Sequence, residues 1–71
     1  MPYITKPETV QLSSLDAGNF FEFDGTTYLV SKFRDGFRWL CMRIDDGLYV
    51  PLFYRVLVHK VVENVDAAAK S

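Results

Sequence analysis

Residues 19–52 read NFFEFDGTTYLVSKFRDGFRWLCMRIDDGLYVPL, and three Asp-Gly pairs, Asp24-Gly25, Asp35-Gly36 and Asp46-Gly47, cut this stretch into apolar runs of similar length. Glycine takes positive φ without a Cβ clash and aspartate tolerates it, so Asp-Gly suits the tight turns whose twist matches that of paired strands. The spacing predicts strands at residues 19–23, 26–33, 37–44 and 48–52, with a fifth at 56–62 just beyond. Strands joined by such short turns form an antiparallel meander. Left flat, five strands expose two unpaired edges, and the economical solution is to curl the sheet into a small half-open barrel. Pro51 removes a ladder donor and belongs at an edge, a bulge or a strand end, so a sharp bend is expected between the fourth and fifth strands.

Outward from this stretch, residues 9–12 (TVQL) offer a short extra strand, and residues 13–18 (SSLDAG) form a turn that redirects the chain. Past residue 62 the composition changes to ENVDAAAKS, where Asn64 is a candidate cap and the alanines favour helix. So short a segment does not hold a helix in water without packing, and a short C-terminal helix and a frayed tail both stand. The chain therefore reads as one mostly β domain over residues 1–71, with an ordered core at about 9–62 and a tail at 63–71.

At 71 residues there is room for one core, and folding at this size buries only about 60% of the surface of the unfolded chain. The composition is 49% hydrophobic and 15% aromatic, more than so small a core encloses with ease. Strand alternation sorts these residues into two sets. Phe21, Phe23, Leu29, Leu40, Met42, Ile44, Leu48, Val50, Leu52, Val56 and Val58 are assigned to the core face. The opposite face receives Phe20, Tyr28, Phe37, Trp39, Tyr49, Phe53 and Tyr54, mixed with Lys32, Arg38 and Arg43. Two readings of that aromatic face stand open: a partner covers it, or residues 1–12 and 67–69 fold over it.

Eight basic and nine acidic residues give a net charge of −1, which neither demands nor excludes a nucleic-acid partner. Cys41 is the sole cysteine, which excludes an internal disulfide and favours a reducing compartment, the cytoplasm. The opening MPYITKPETV lacks the basic patch and apolar run of a signal peptide. The apolar stretch at residues 48–54 contains Pro51 and falls far short of the roughly 20 residues that cross a bilayer, so no membrane partner is expected.

Catalytic, metal and cofactor chemistry find no constellation. His59, the one histidine, sits in a predicted strand, facing solvent or meeting a carbonyl. Cys41 lies mid-strand between Leu40 and Met42, where a packed thiol is expected and not an activated thiolate. Ser13 and Ser14 belong to a turn. Asp16, Asp24, Asp35, Asp45 and Asp46 also fall in turns, where carboxylates bond local backbone. No zinc or calcium-loop spacing and no phosphate-cradling glycine motif is present. The basic cluster between Val30 and Ile44 is the best polar signal: Lys32, Arg34, Arg38 and Arg43 against Asp35 give a local charge of +3. Interleaved with Phe33, Phe37 and Trp39, it reads either as stacking platforms and phosphate contacts for a single strand of nucleic acid or as an ordinary solvated hairpin.

Two resemblances bear on this reading. Gly47-Leu48-Tyr49-Val50-Pro51-Leu52-Phe53-Tyr54-Arg55-Val56 resembles the end of a Src-homology-3-like barrel, where a strand, a proline, a short helical turn and a tyrosine precede the last strand. The spacing departs by a residue on each side and the acidic-aromatic signature of the peptide-binding domains is absent, so the resemblance implies architecture and not polyproline binding. Residues 12–30 (LSSLDAGNFFEFDGTTYLV) resemble the opening of small proteins of tailed bacteriophages, through Leu12, Leu15, Gly18, Phe21, Gly25, Tyr28 and Val30. That resemblance implies a viral source, the host cytoplasm as location, and no catalytic residue.

The function expected is a non-enzymatic protein-interaction module that presents Phe37, Trp39, Tyr49, Phe53 and Tyr54 to a host protein, a virion protein or a second copy of itself. The alternative is a small nucleic-acid-binding barrel that uses Lys32, Arg34, Arg38 and Arg43.

Overall fold

The computed structural model describes residues 3–63. Within them the chain forms seven strands: β1 (Tyr3–Thr5), β2 (Val10–Gln11), β3 (Phe20–Phe23), β4 (Thr26–Asp35), β5 (Arg38–Arg43), β6 (Tyr49–Phe53) and β7 (Leu57–Glu63), with a 3-10 turn at Leu12–Ser14 between β2 and β3. The helix-or-tail segment considered for the C-terminus lies outside the described residues, save for Glu63, which ends β7.

The Asp-Gly pairs build the hairpins by different means. Asp24 (φ 53°) and Gly25 (φ 75°) form a two-residue loop with both residues left-handed, which closes β3 and β4 in the type I′ manner. Between β4 and β5 the loop is Gly36-Phe37, with Asp35 paired to Arg38, so Phe37 sits at the hairpin tip and not in the strand expected to begin there. The third loop is longer: the Gly47 N–H bonds the Arg43 carbonyl at 2.7 Å, and the Arg43 N–H bonds the Leu48 carbonyl at 2.8 Å.

The ladder runs β1-β7-β3-β4-β5-β6, antiparallel throughout, and β2 pairs with β7 beside β1. Two features of the expected meander need correction. The run of neighbours has four consecutive members, β3 to β6, because β7 leaves β6 and pairs with β3. The sheet also has seven strands and does not close into a barrel; its two ends are β1 and β6. The added strand β1 lies ahead of the core expected to begin at residue 9, and Pro7, which has no N–H to donate, falls in the gap that separates it from β2. Pro51 occupies the middle of β6, an edge strand, where its missing donor costs no ladder bond.

One cluster forms the core: Leu12, Leu15, Phe21, Tyr28, Val30, Cys41 and Val58 are buried, with Val10, Phe23, Trp39, Val50, Leu52 and Val56 packed against them. In a flat sheet Val58 on β7 and Leu52 on β6 would stand four strand spacings apart, about 19 Å. Only three residues join Phe53 at the end of β6 to Leu57 at the start of β7, a link of at most about 14 Å, so the sheet must curl, and it wraps round Phe21 and Val30 with Leu12 and Leu15 in the same core. Leu12 N–H to Val56 O (2.9 Å) and Ser13 N–H to Tyr54 O (2.9 Å) fix that end in place.

The register corrects half of the facing assignments. Val30 pairs with Cys41 and Cys41 with Val50, so the inward residues of β5 are Trp39 and Cys41. Leu40 and Met42 point outward, as does Leu29, the partner of Met42, while Ile44 and Leu48 are exposed in the β5–β6 loop. Tyr28, assigned outward, is buried and stacks on Phe21 with ring centres 5.2 Å apart. Arg43 pairs with Tyr28 and shares its face. Both faces of β5 are apolar, so alternation alone does not decide between them. The choice is made by pairing with β4, and inside the curl the small Cys41 fits where Leu or Met would collide.

Candidate functional site

Among the described residues seven hydrophobic residues are buried in the core, whereas nine large hydrophobic residues are exposed: Tyr3, Ile4, Phe33, Phe37, Ile44, Leu48, Tyr49, Phe53 and Leu57. Exposed hydrophobic residues taken singly are ordinary, and what marks an interface is their gathering into a contiguous patch.

The exposed rings are organised. Phe37, at the β4–β5 hairpin tip, is 73% exposed, and its ring stacks on Tyr54 with centres 5.9 Å apart. Phe53 meets Tyr54 at a tilt, ring centres 5.0 Å apart, and Tyr54 N–H donates to the Phe37 carbonyl at 3.0 Å, which fastens the tip to the chain following β6. The Arg55 guanidinium lies 5.4 Å from the Tyr54 ring centre. Tyr49, Pro51 and Phe53 alternate along β6 and share its outer face, and Phe33 meets Tyr49 edge-on at 6.0 Å. Three of the five expected interface residues, Phe37, Phe53 and Tyr54, therefore form one ring cluster, and Tyr49 shares the outer face of β6 with Phe53.

Trp39 is the exception. It points toward the core, and the Arg34 guanidinium covers its ring at 3.7 Å. Arg34 is held there because β4 is irregular between Val30 and Arg34: the Ser31 hydroxyl donates to the Leu40 carbonyl, and the Arg34 Nη1 group donates to the carbonyls of Ser31 (2.6 Å) and Phe33 (3.0 Å).

The basic residues do not form one patch. Arg34 is committed as just described. Arg43 forms a two-pronged ion pair with Asp46, its Nη2 2.6 Å from Oδ2, which closes the β5–β6 loop. Asp46 also accepts the Leu48 N–H at 3.1 Å; the Arg43 and Leu48 hydrogen bonds hold its carboxyl below the ordinary 3.8, and the same pairing raises Arg43. Arg38 sits five residues back along β5, about 17 Å away. Lys32 and Arg38 are exposed at the hairpin end.

The reactive side chains are occupied by packing or by backbone. Cys41 is fully enclosed, its Sγ 3.6 Å from the Trp39 carbonyl, and burial, opposed in part by Arg34, pushes its thiol up to about 11. His59 on β7 holds Nδ1 2.9 Å from the Lys6 carbonyl, the backbone contact expected from its strand position. Among the described residues no cluster of His, Cys, Asp or Glu gathers to hold a metal ion, and no helix is long and apolar enough to cross a membrane.

No protein-family model, curated protein or solved structure matches the chain. The geometry itself offers contact area: stiff rings on two hairpins that the backbone holds together, with cations at the rim. The sequence reading named Phe33 only as a stacking platform beside the basic cluster, put Ile44 and Leu48 on the core face, and assigned Leu57 to neither face. Phe33 carried the visible signal, since a ring between Lys32 and Arg34 in a hairpin is poorly placed for a core.

Proposed function

We propose that the chain is a non-enzymatic protein-interaction module whose docking surface is built from Phe37, Phe53 and Tyr54 with Tyr49 alongside. The observation that carries this reading is the stacked cluster at the β4–β5 tip: three rings in contact, one of them 73% exposed, and pinned by a backbone hydrogen bond. Rings held in this way lose little conformational freedom on binding and supply large contact area, the character of interface hot spots. The turn at Tyr54–Arg55 that follows the proline-bearing β6 supports a half-open, Src-homology-3-like architecture. With the phage-like pattern of residues 12–30, the reading extends to a viral protein acting in the host cytoplasm on a host or virion protein.

The test is a side-by-side affinity capture with the wild-type chain and a Phe37→Ser/Phe53→Ser variant of matched circular dichroism. A protein retained by the wild type and lost by the variant supports the reading; equal retention by both overturns it. Titration of single- and double-stranded oligonucleotides at low salt addresses the nucleic-acid alternative, which requires steeply salt-dependent binding. Lys32 and Arg38 would carry that binding, since Arg34 and Arg43 are already engaged.

A further inference from the structure

The outer face of the sheet holds a second feature, distinct from the aromatic tip. The register aligns Thr5, Val61, Phe20, Leu29, Met42 and Tyr49 as direct cross-strand neighbours, a row that crosses β1, β7, β3, β4, β5 and β6 without a charged residue. Over one part of this row lies a groove of about 430 Å³, lined by Tyr3, Phe20, Thr27, Ile44 and Val61, with Thr5 and the Asp45 carboxylate also at its wall. The groove accepts an apolar side chain with a cation beside it.

The chain itself carries that combination. Phe33 is half exposed on the same face, where it meets Tyr49, and the exposed Lys32 and Arg38 accompany it at the hairpin end. Charge is divided along the strands. Lys32, Arg34, Arg38 and Arg55 against Asp35 leave the hairpin end at +3, whereas Glu22, Asp24, Asp45 and Asp46 against Arg43 and Lys60, which share one cross-strand row, leave the opposite turn end at −2. Two copies set face to face with their strands antiparallel bring the acidic end of each to the basic end of the other, twice over. Parallel stacking would oppose like charges at both ends. Residues 64–71 (NVDAAAKS) are no rival occupant, since Val65 is their one bulky apolar residue.

We propose that the groove takes Phe33 of a second copy of the chain, in a two-fold pair whose strands run antiparallel and in which Arg38 of each copy meets Asp45 of the other. This rests on the reading of the chain as an interaction module and shares only Tyr49 with the surface named there. The outer face of a wrapped sheet is convex, so the contact is confined to the groove and the middle of the row. So confined a contact belongs to the weak end of specific interfaces, below about 1,200 Å² in total, and the pair proposed is a weak one, with a dissociation constant on the order of micromolar.

Sedimentation equilibrium of the full chain from about 1 to about 500 µM should show the mass rising from 8.2 kDa toward twice that value. Phe33→Ser and Ile44→Glu alter exposed positions that the core does not use, and each should raise the dissociation constant roughly tenfold or more. Arg38→Glu and Asp45→Arg should each weaken the pair roughly two- to fivefold, and the double exchange should restore it. A chain that stays at the monomer mass throughout overturns the proposal, as does a dimer in which the two reversals add instead of compensating. A monomer that still captures a partner through Phe37 and Phe53 would remove this pairing and leave the interaction module standing.

Discussion

Alkylation of Cys41 reads out which side of β5 is inside. Its side chain is fully enclosed, and desolvation moves the thiol from 9.0 to about 11. Two units of pKa reduce the thiolate at pH 8 roughly a hundredfold relative to the unfolded chain, and the thiolate is the species that attacks. Iodoacetamide labelling followed by mass spectrometry should therefore run at least about a hundredfold slower in buffer than in urea, with steric enclosure adding to the factor. The same shift fixes a pH dependence. The folded state disfavours the anion, so its stability is intact below pH 9 and declines as pH rises from 9.0 through about 11; a Cys41→Ala variant should lack that part of the decline. Native labelling within a few-fold of the urea rate would refute the reasoning: Cys41 would face water, and Leu40 and Met42 would be the inward residues.

Other outcomes follow from the same structure. Phe21→Ala should cost about 3–5 kcal/mol in urea unfolding, much of the stability of a chain this size, whereas Phe37→Ser should change stability by no more than about 0.5 kcal/mol. Gly36 holds φ +62° at the hairpin tip, and Gly36→Ala should cost about 1 kcal/mol although no neighbouring atom obstructs the added methyl group. Asp46, held by the Arg43 side chain and the Leu48 N–H, should titrate below 3.8 by NMR. Its contribution to folding should be present above that value and lost as pH falls through the lowered midpoint, and Arg43→Gln should move the midpoint upward.

The strands were legible because their punctuation is local: each Asp-Gly pair marks a turn whatever the rest of the chain does. Facing was not, since Trp39 and Cys41 on one side of β5 and Leu40 and Met42 on the other satisfy either register equally well. What decides is the Val30–Cys41 pairing, made across the irregular segment of β4 that begins at Ser31. The return of β7 to β3 is a long-range pairing with no local signal, and β1 is three residues long, too short for alternation to show. Leu12 and Leu15 fill the core from a 3-10 turn and a bend, outside any strand pattern. On the surface, Tyr49 and Phe53 could be anticipated from strand parity, whereas Phe37 is exposed because it sits at the hairpin tip. Trp39 could not, because an arginine bound to the carbonyls of that irregular segment covers it from outside.

A docking role requires apolar rings that this polypeptide leaves open to solvent. Photochemically induced nuclear polarisation of the dilute wild-type chain measures that directly for tyrosine. Tyr49 and Tyr3 should polarise strongly and Tyr28 should stay dark, with Tyr49 losing signal when a partner binds or the concentration rises. Silence from Tyr49 and Tyr3 in the monomer at high dilution would mean that the chain covers its own face, and would contradict the claim.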